Sequence, residues 1–190
     1  LALQKLFGKY VFASSYSVED FEISIKDQSH AEGAYVPLLS TESTEIILSS
    51  AVMTRVEKTD FIRRNPLTPK YLDVCWAEQQ ASSIVHQDKW LKDKTKKNCG
   101  WCDKCIRTLF TLELLGEDIK QYGDIFDIPK YYAHKDEFIM TLLLNRDKNI
   151  MYKEIYGLML QKQFIVPSNI ARQIRKYKIK SFIRKMLFMS

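Results

Sequence analysis

The sequence predicts an α/β chain with a parallel sheet, a four-cysteine knot and a helical carboxyl-terminal extension. Three observations predict it: short apolar runs ending in small polar residues alternate with helix-like stretches, all four cysteines fall between Cys75 and Cys105, and from Lys130 onward the apolar residues recur at helical spacing. Strands that alternate with helices form parallel sheets, because a crossover helix returns the chain to run in the same direction. With 190 residues, 46% hydrophobic and 12% aromatic, the chain can bury one core, or one domain with a helical appendage. The expected organisation is an α/β portion carrying the knot over 1–129, a helical extension over 130–169 and a basic amphipathic tail over 170–190.

An amphipathic pattern is already under way at Leu1, Leu3, Leu6 and Phe7, and the first residue is not Met, so the chain reads as one whose front is missing. Val11-Phe12-Ala13-Ser14-Ser15 reads as a buried strand that opens into a loop, and Glu45-Ile46-Ile47-Leu48-Ser49-Ser50 repeats that pattern. A helix follows from about Met53 to Arg64, stopped by Asn65-Pro66, since the residue before a proline is pushed out of the helical region. Tyr71-Leu72-Asp73-Val74-Cys75 reads as a third strand. In such sheets ligands gather beyond the carboxyl ends of the strands, here at Ser14, Ser15, Ser49, Ser50 and Cys75. Past the last cysteine, Ile106, Leu109, Phe110, Leu112, Leu114 and Leu115 give an apolar helix closed by Gly116. Beyond Lys130, Phe138, Ile139, Leu142 and Leu143 form one helical stripe, and Ile150, Ile155, Leu158 and Met159 form another. No apolar run approaches the roughly 18 residues that a bilayer span needs.

The last three cysteines sit in Cys99-Gly100-Trp101-Cys102-Asp103-Lys104-Cys105, two CxxC steps sharing one residue, with Cys75 as an upstream fourth. Thiolates are soft, charged ligands and four of them close a tetrahedron around zinc, while Gly100 lets the chain turn tightly between ligands. Two disulfides are the oxidised alternative, but nothing in the sequence marks an oxidising compartment, and the expected location is the cytoplasm. An iron–sulfur cluster is the other alternative: ferredoxin-like runs continue with a fourth cysteine where Leu109 stands, and Cys75 would have to replace it. His86 is the substitute for Cys75 as fourth ligand. Trp76 and Trp101 flank ligands and either shield the sulfurs or stack on a flat base. His30 and His134 have no motif partner and read as surface residues.

The formal charge of +6 is concentrated at one end. From Ala171 to Ser190 there are seven basic residues, Arg172, Arg175, Lys176, Lys178, Lys180, Arg184 and Lys185, and no acidic one. Apolar residues at Ile170, Ile174, Tyr177, Ile179, Phe182, Ile183, Met186 and Leu187 interleave with them. Such a tail suits nucleic acid or an anionic membrane face, or else stays loosely ordered or packs against an acidic neighbour.

The string Asn98-Cys99-Gly100-x-Cys102-Asp103-Lys104-Cys105-Ile106-Arg107, preceded by Val74-Cys75-Trp76, resembles the carboxyl-terminal part of 7-cyano-7-deazaguanine synthase and, still more, a group of poorly characterised relatives. Both belong to the PP-loop ATP pyrophosphatases, Rossmann-like enzymes of the adenine nucleotide α-hydrolase type that split ATP to AMP and pyrophosphate while adenylating a substrate oxygen. Pro37-Leu38-Leu39, Arg55-x-x-Lys58 and Ser14-Ser15-Tyr16 match further stretches of that pattern in order. The resemblance, which covers roughly Val11 to Gly116, implies a structural zinc on Cys75, Cys99, Cys102 and Cys105, and ATP with magnesium. It also implies a small-molecule substrate, with Arg55, Lys58, Ser14 and Ser15 near the nucleotide. Arg55 and Lys58 then meet phosphates, or else form a solvated face with Glu57; Arg107 reaches a substrate carboxylate or a structural acid. The gap between Cys75 and Cys99 is longer than in the synthase, and the family's Ser-Gly-Gly-x-Asp-Ser phosphate loop is absent from this sequence. Either that loop lies on an amino-terminal half outside this sequence, or the domain is a zinc-stapled binding module that docks nucleic acid or a protein partner.

Overall fold

The apolar runs around Val11 and Ile47 form strands β1 (Lys9–Ala13) and β2 (Glu45–Ser49) in a computed structural model that describes residues 6–23, 27–75 and 96–188. The strands pair in parallel, from Lys9 opposite Glu45 to Ala13 opposite Ser49. The ladder continues one step at each end, where Glu45 N–H donates to the Gly8 carbonyl at 2.9 Å and Ser14 N–H to that of Ser49 at 3.1 Å. The described residues of the crossover include 3-10 turns, among them Pro37–Leu39, and the single-turn helix α1 (Glu32–Tyr35). Helix α2 (Arg55–Arg63) follows β2. It starts with a capping box: Thr54 N–H donates to the Glu57 carboxylate at 2.8 Å, and Glu57 N–H to the Thr54 hydroxyl at 3.2 Å.

The chain divides into two compact units, Leu1–Phe61 and Ile62–Ser190. Among the described residues of the first unit, Val36 is the buried apolar side chain, accompanied by buried Ser14, Ser17, Glu32 and Thr59. The core proper lies in the second unit. There, α3 (Thr68–Tyr71) precedes the cysteines, and α4 (Asp103–Leu114), α5 (Ile128–Asn145), α6 (Ile150–Gln161) and α7 (Ser168–Phe188) follow. Leu109, Phe110 and Leu112 of α4 are fully buried with Ile139 and Leu142 of α5, and Phe110 meets Phe138 and Phe164 edge-on at 5.7 and 5.5 Å. Burying one such side chain stabilises by about 1.5–3 kcal/mol, so this layer of helices holds the unit together.

Helix α4 ends as its sequence predicts. Gly116 takes φ +89, and the N–H groups of Gly116 and Glu117 close back on the carbonyls of Glu113 and Leu112, both at 3.0 Å. The third strand is a correction. Pro69 in the first turn of α3 favours helix, Tyr71 is that helix's last residue, and 72–75 run on without a strand ladder. The Val74 and Cys75 N–H groups are taken instead by a side chain, the amide oxygen of Asn98. The architecture is therefore mixed α/β, mostly helical, with a small two-stranded parallel sheet. Among the described residues no helix is long and apolar enough to cross a membrane.

Candidate metal centre

The sulfurs of Cys75, Cys99, Cys102 and Cys105 all lie within 4.8 Å of one another. Cys99, Cys102 and Cys105 are buried and Cys75 is half-buried. All four are free thiols; the Cys99 and Cys105 sulfurs are 3.9 Å apart, about twice the length of a disulfide bond. His86 and Trp76 lie outside the described residues.

Local rules put three of the sulfurs together. Cys102 is the N-cap of α4 and Cys105 stands on its first turn, so both sulfurs gather at a helix amino terminus, where the peptide dipoles favour negative charge. Cys102 N–H also donates to the Cys99 sulfur at 3.3 Å. Between Cys99 and Cys102 the chain reverses at Gly100, with φ +80, in contact with the segment before α5. A Cβ there would stand 2.2 Å from the Asp127 carbonyl oxygen, so only glycine fits.

The fourth sulfur arrives by a long-range device that the spacing of cysteines does not reveal. Asn98 is fully buried. Its Oδ1 accepts from Val74 N–H at 2.9 Å and Cys75 N–H at 3.0 Å, while its Nδ2 donates to the carbonyls of Leu72 at 2.9 Å and Ile125 at 3.2 Å. Its own backbone is held in turn, by the Ile125 carbonyl at 2.8 Å and the Asp127 N–H at 3.1 Å. One amide thus staples the Cys75 segment beside Cys99, and buried polar groups satisfied so completely specify a single arrangement.

Crowding sets the charge of the cluster. Hydrogen bonds from Cys102, then Cys105 and Cys99, hold the Cys75 thiol below its ordinary range. Cys99 and Cys105 are pushed above theirs, first by their contact with Cys102 and then by their neighbours and burial. Without a cation the four sulfurs cannot all ionise; with one they become four anionic ligands, and metal uptake releases protons.

The remaining residues picked out by sequence divide between the two units. In the first, Ser14, Ser15, Arg55 and Lys58 do come together, at the carboxyl end of β1. The Lys58 ammonium donates to the Ser14 carbonyl at 3.0 Å and hydroxyl at 2.7 Å, and Arg55 donates to the Ser15 carbonyl at 2.8 Å. Ser15 donates through its N–H and hydroxyl to the buried Glu32 carboxylate at 2.6 and 2.8 Å, a partner the sequence did not single out. The two cations thus brace the strand end, and Glu57, offered as their neighbour on a solvated face, caps the helix. His30 is not a bare surface residue: its ring stacks on Tyr16 at 3.7 Å, and Tyr16 in turn donates to Asp27 at 2.9 Å. The hydroxyl of Ser29, with Tyr16 assisting, holds the Asp27 carboxyl below its usual range.

In the second unit, Arg107 lies one turn beyond Asp103 and pairs with it at 2.9 Å, the structural acid of the two alternatives. Its guanidinium also meets Met151, and Tyr152 donates to Asp103 at 2.8 Å, which ties α4 to α6. Trp101 is half-buried and tilted against His134, with ring centroids 5.6 Å apart. No family model matches the chain, and neither a curated protein nor a solved structure matches it.

Proposed function

We propose that the four cysteines hold a structural zinc ion, and that the chain is the carboxyl-terminal, zinc-clamped portion of an ATP-dependent adenylating enzyme similar to 7-cyano-7-deazaguanine synthase. The observation that carries the metal is the mutual closeness of the four sulfurs, all within 4.8 Å. Four sulfurs at about 2.3 Å from one tetrahedral ion lie about 3.8 Å from each other, which agrees with the 3.9 Å between Cys99 and Cys105. An iron–sulfur cluster divides four cysteines among two or four irons, and sulfurs on different irons stand further apart than those on one ion. Three of the sulfurs are buried, which leaves little room for a bound water and favours a structural over a catalytic ion.

Support for adenylation is of another kind. It rests on the resemblance of the cysteine string, on two parallel strands crossed over by the Pro37–Leu39 turn, and on Ser14, Ser15, Arg55 and Lys58 meeting at one strand end. The described residues contain no phosphate cradle: neither strand opens into a glycine-rich turn at a helix start, and Arg55 and Lys58 both bond strand-end oxygens. In this reading the Rossmann-like sheet is completed, and ATP and magnesium are held, by residues outside this sequence. This chain supplies the knot and the braced strand end.

Two measurements test the two halves separately. Elemental analysis of the purified chain is expected to find one zinc per molecule, lost in Cys102→Ser together with a lowered melting temperature; iron, or no metal, sinks the zinc. The full-length gene product is expected to release pyrophosphate from ATP in a substrate-dependent way, and a protein that holds zinc yet never forms AMP sinks the enzyme alone.

A further inference from the structure

Helix α7 docks on its neighbours by its first turns. Ile170 is buried, Ile174 is half-buried, and the Asn169 amide donates to Asp136 of α5 at 3.1 Å. Past Ile174 the helix runs on to Phe188, with Ile179 and Met186 54% and 62% exposed. Arg172, Arg175, Lys176, Lys178, Lys180 and Arg184 are exposed too. None of these six forms an ion pair among the described residues, and no acidic residue occurs from Ser168 to the end of the helix.

The second half of α7 is amphipathic. Ile179, Phe182, Ile183 and Met186 stand at i, i+3, i+4 and i+7, which places them by register on one face, a sector of about 100° at 3.6 residues per turn. Lys178 and Lys185 flank that sector on one side and Lys180 on the other, while Tyr177, Ser181 and Arg184 take the reverse of the helix. Arg172 and Arg175 fall on the apolar side in the earlier turns, so the pattern belongs to the stretch from Lys178 onward. The apolar sector lies about 150° around the axis from docked Ile170 and Ile174, and so it faces away from α5 and is open to an approaching surface.

We propose that the second half of α7 lies in the plane of an anionic lipid surface, with the Ile179, Phe182, Ile183 and Met186 face among the acyl chains and Lys178, Lys180 and Lys185 at the level of the phosphates. Charge and the width of the apolar sector select this occupant. A second copy of the helix brings the same positive charge and no acid to meet it. Nucleic acid meets the bases but leaves the apolar face in water. A protein groove that grips a helix on three sides buries the flanking ammonium groups, whereas a flat lipid surface takes up the apolar sector alone and lets lysine stems extend to the headgroups. The helix is not long and apolar enough to cross the bilayer, so it rests in the interface. This assignment depends on neither the metal nor the adenylation reading.

The test is co-sedimentation of the purified chain with vesicles, either phosphatidylcholine alone or phosphatidylcholine with roughly one-third phosphatidylglycerol. Association is expected with the anionic vesicles, weakening as salt rises, and little with the neutral ones. Ile179→Gln with Met186→Gln keeps every charge and is expected to weaken association about tenfold or more. Lys178→Gln with Lys180→Gln keeps the apolar face and is expected to cost about fivefold for each charge, about 25-fold together. All four positions are exposed, so circular dichroism and melting temperature should match the parent chain. Absence of association with anionic vesicles at low salt overturns the proposal, as does association that the Ile179 and Met186 pair leaves unchanged, because that is adhesion by charge alone. A dimer of the chain that the same pair dissociates would give the face to a second copy, and binding of an oligonucleotide or polyglutamate without binding of anionic vesicles would give the helix to nucleic acid or to an acidic protein. Any of these results removes the lipid surface.

Discussion

A methyl group at position 100 has nowhere to go. The backbone there is left-handed, and the added carbon would press on the Asp127 carbonyl at 2.2 Å, a main-chain atom anchored by the start of α5. Gly100→Ala is therefore expected to destabilise the second unit by more than about 2 kcal/mol and to lower its metal content, read by denaturation and elemental analysis. Gly157 is the control. It lies inside α6 with nothing within 4 Å of its missing Cβ, so alanine there removes only unfolded-state freedom. Gly157→Ala is expected to stabilise by about 0.5–1 kcal/mol. If both substitutions shift stability the same way, the contact at Gly100 is not what fixes the knot. Tyrosine hydroxyls show the same dependence on partners. Tyr131 and Tyr152 bond to Glu113 and Asp103, whereas the buried Tyr122 hydroxyl finds no partner among the described residues; burial is the first cause that raises the pKa of all three.

At the scale of elements, what was legible in the sequence was whatever neighbours along the chain decide. The stop before Asn65-Pro66 and the glycine closing α4 are made within a few residues, and both helices end close to where those signals put them; the capping box at Thr54 and Glu57 is equally local, although the sequence alone sets Glu57 on a solvated face. The CxxC spacing likewise brings Cys99, Cys102 and Cys105 together, because one turn and one helix start suffice. Tyr71-Leu72-Asp73-Val74-Cys75 failed as a strand for the opposite reason. Its polar groups are satisfied by Asn98, more than twenty residues away, and no local pattern announces that partner. Serving as Asn98 acceptors and donors, 72–75 need no sheet. Asn98→Leu keeps the volume and strands the two N–H groups of Val74 and Cys75 with the Leu72 carbonyl. It is expected to destabilise by about 3 kcal/mol or more and to free Cys75 for alkylation, while Cys99, Cys102 and Cys105 stay protected. Mass spectrometry of the labelled chain would read this directly, and uniform labelling of all four cysteines, or of none, would show that Asn98 does not hold the fourth ligand in place.

At the scale of the molecule, the two units have unequal means of staying folded. The second carries a layered helical core and a cysteine cluster that could hold a metal, and a metal bound there would add its affinity to folding free energy. The first carries a two-stranded parallel sheet, a type of sheet that proteins ordinarily cover on both faces, yet Tyr10 and Val11 on successive positions of β1 are 56% and 61% exposed. Neighbours in a strand point to opposite faces, so neither face of β1 is closed. Amide exchange measures the consequence. Protection should be highest at Leu109 to Leu112, Leu142 and Ile155, and lower by orders of magnitude at Val11 and Ile47, where little apolar surface must be exposed to open the ladder. Chelation of the metal should then raise exchange around Cys75 and from Cys99 to Cys105 without altering the strands. Strand amides as protected as those of α4 would show that the sheet is covered in solution, by another copy or another chain, and would make the exposed β1 residues an interface. Exchange that rises in both units on chelation would instead tie the stability of the sheet to the knot.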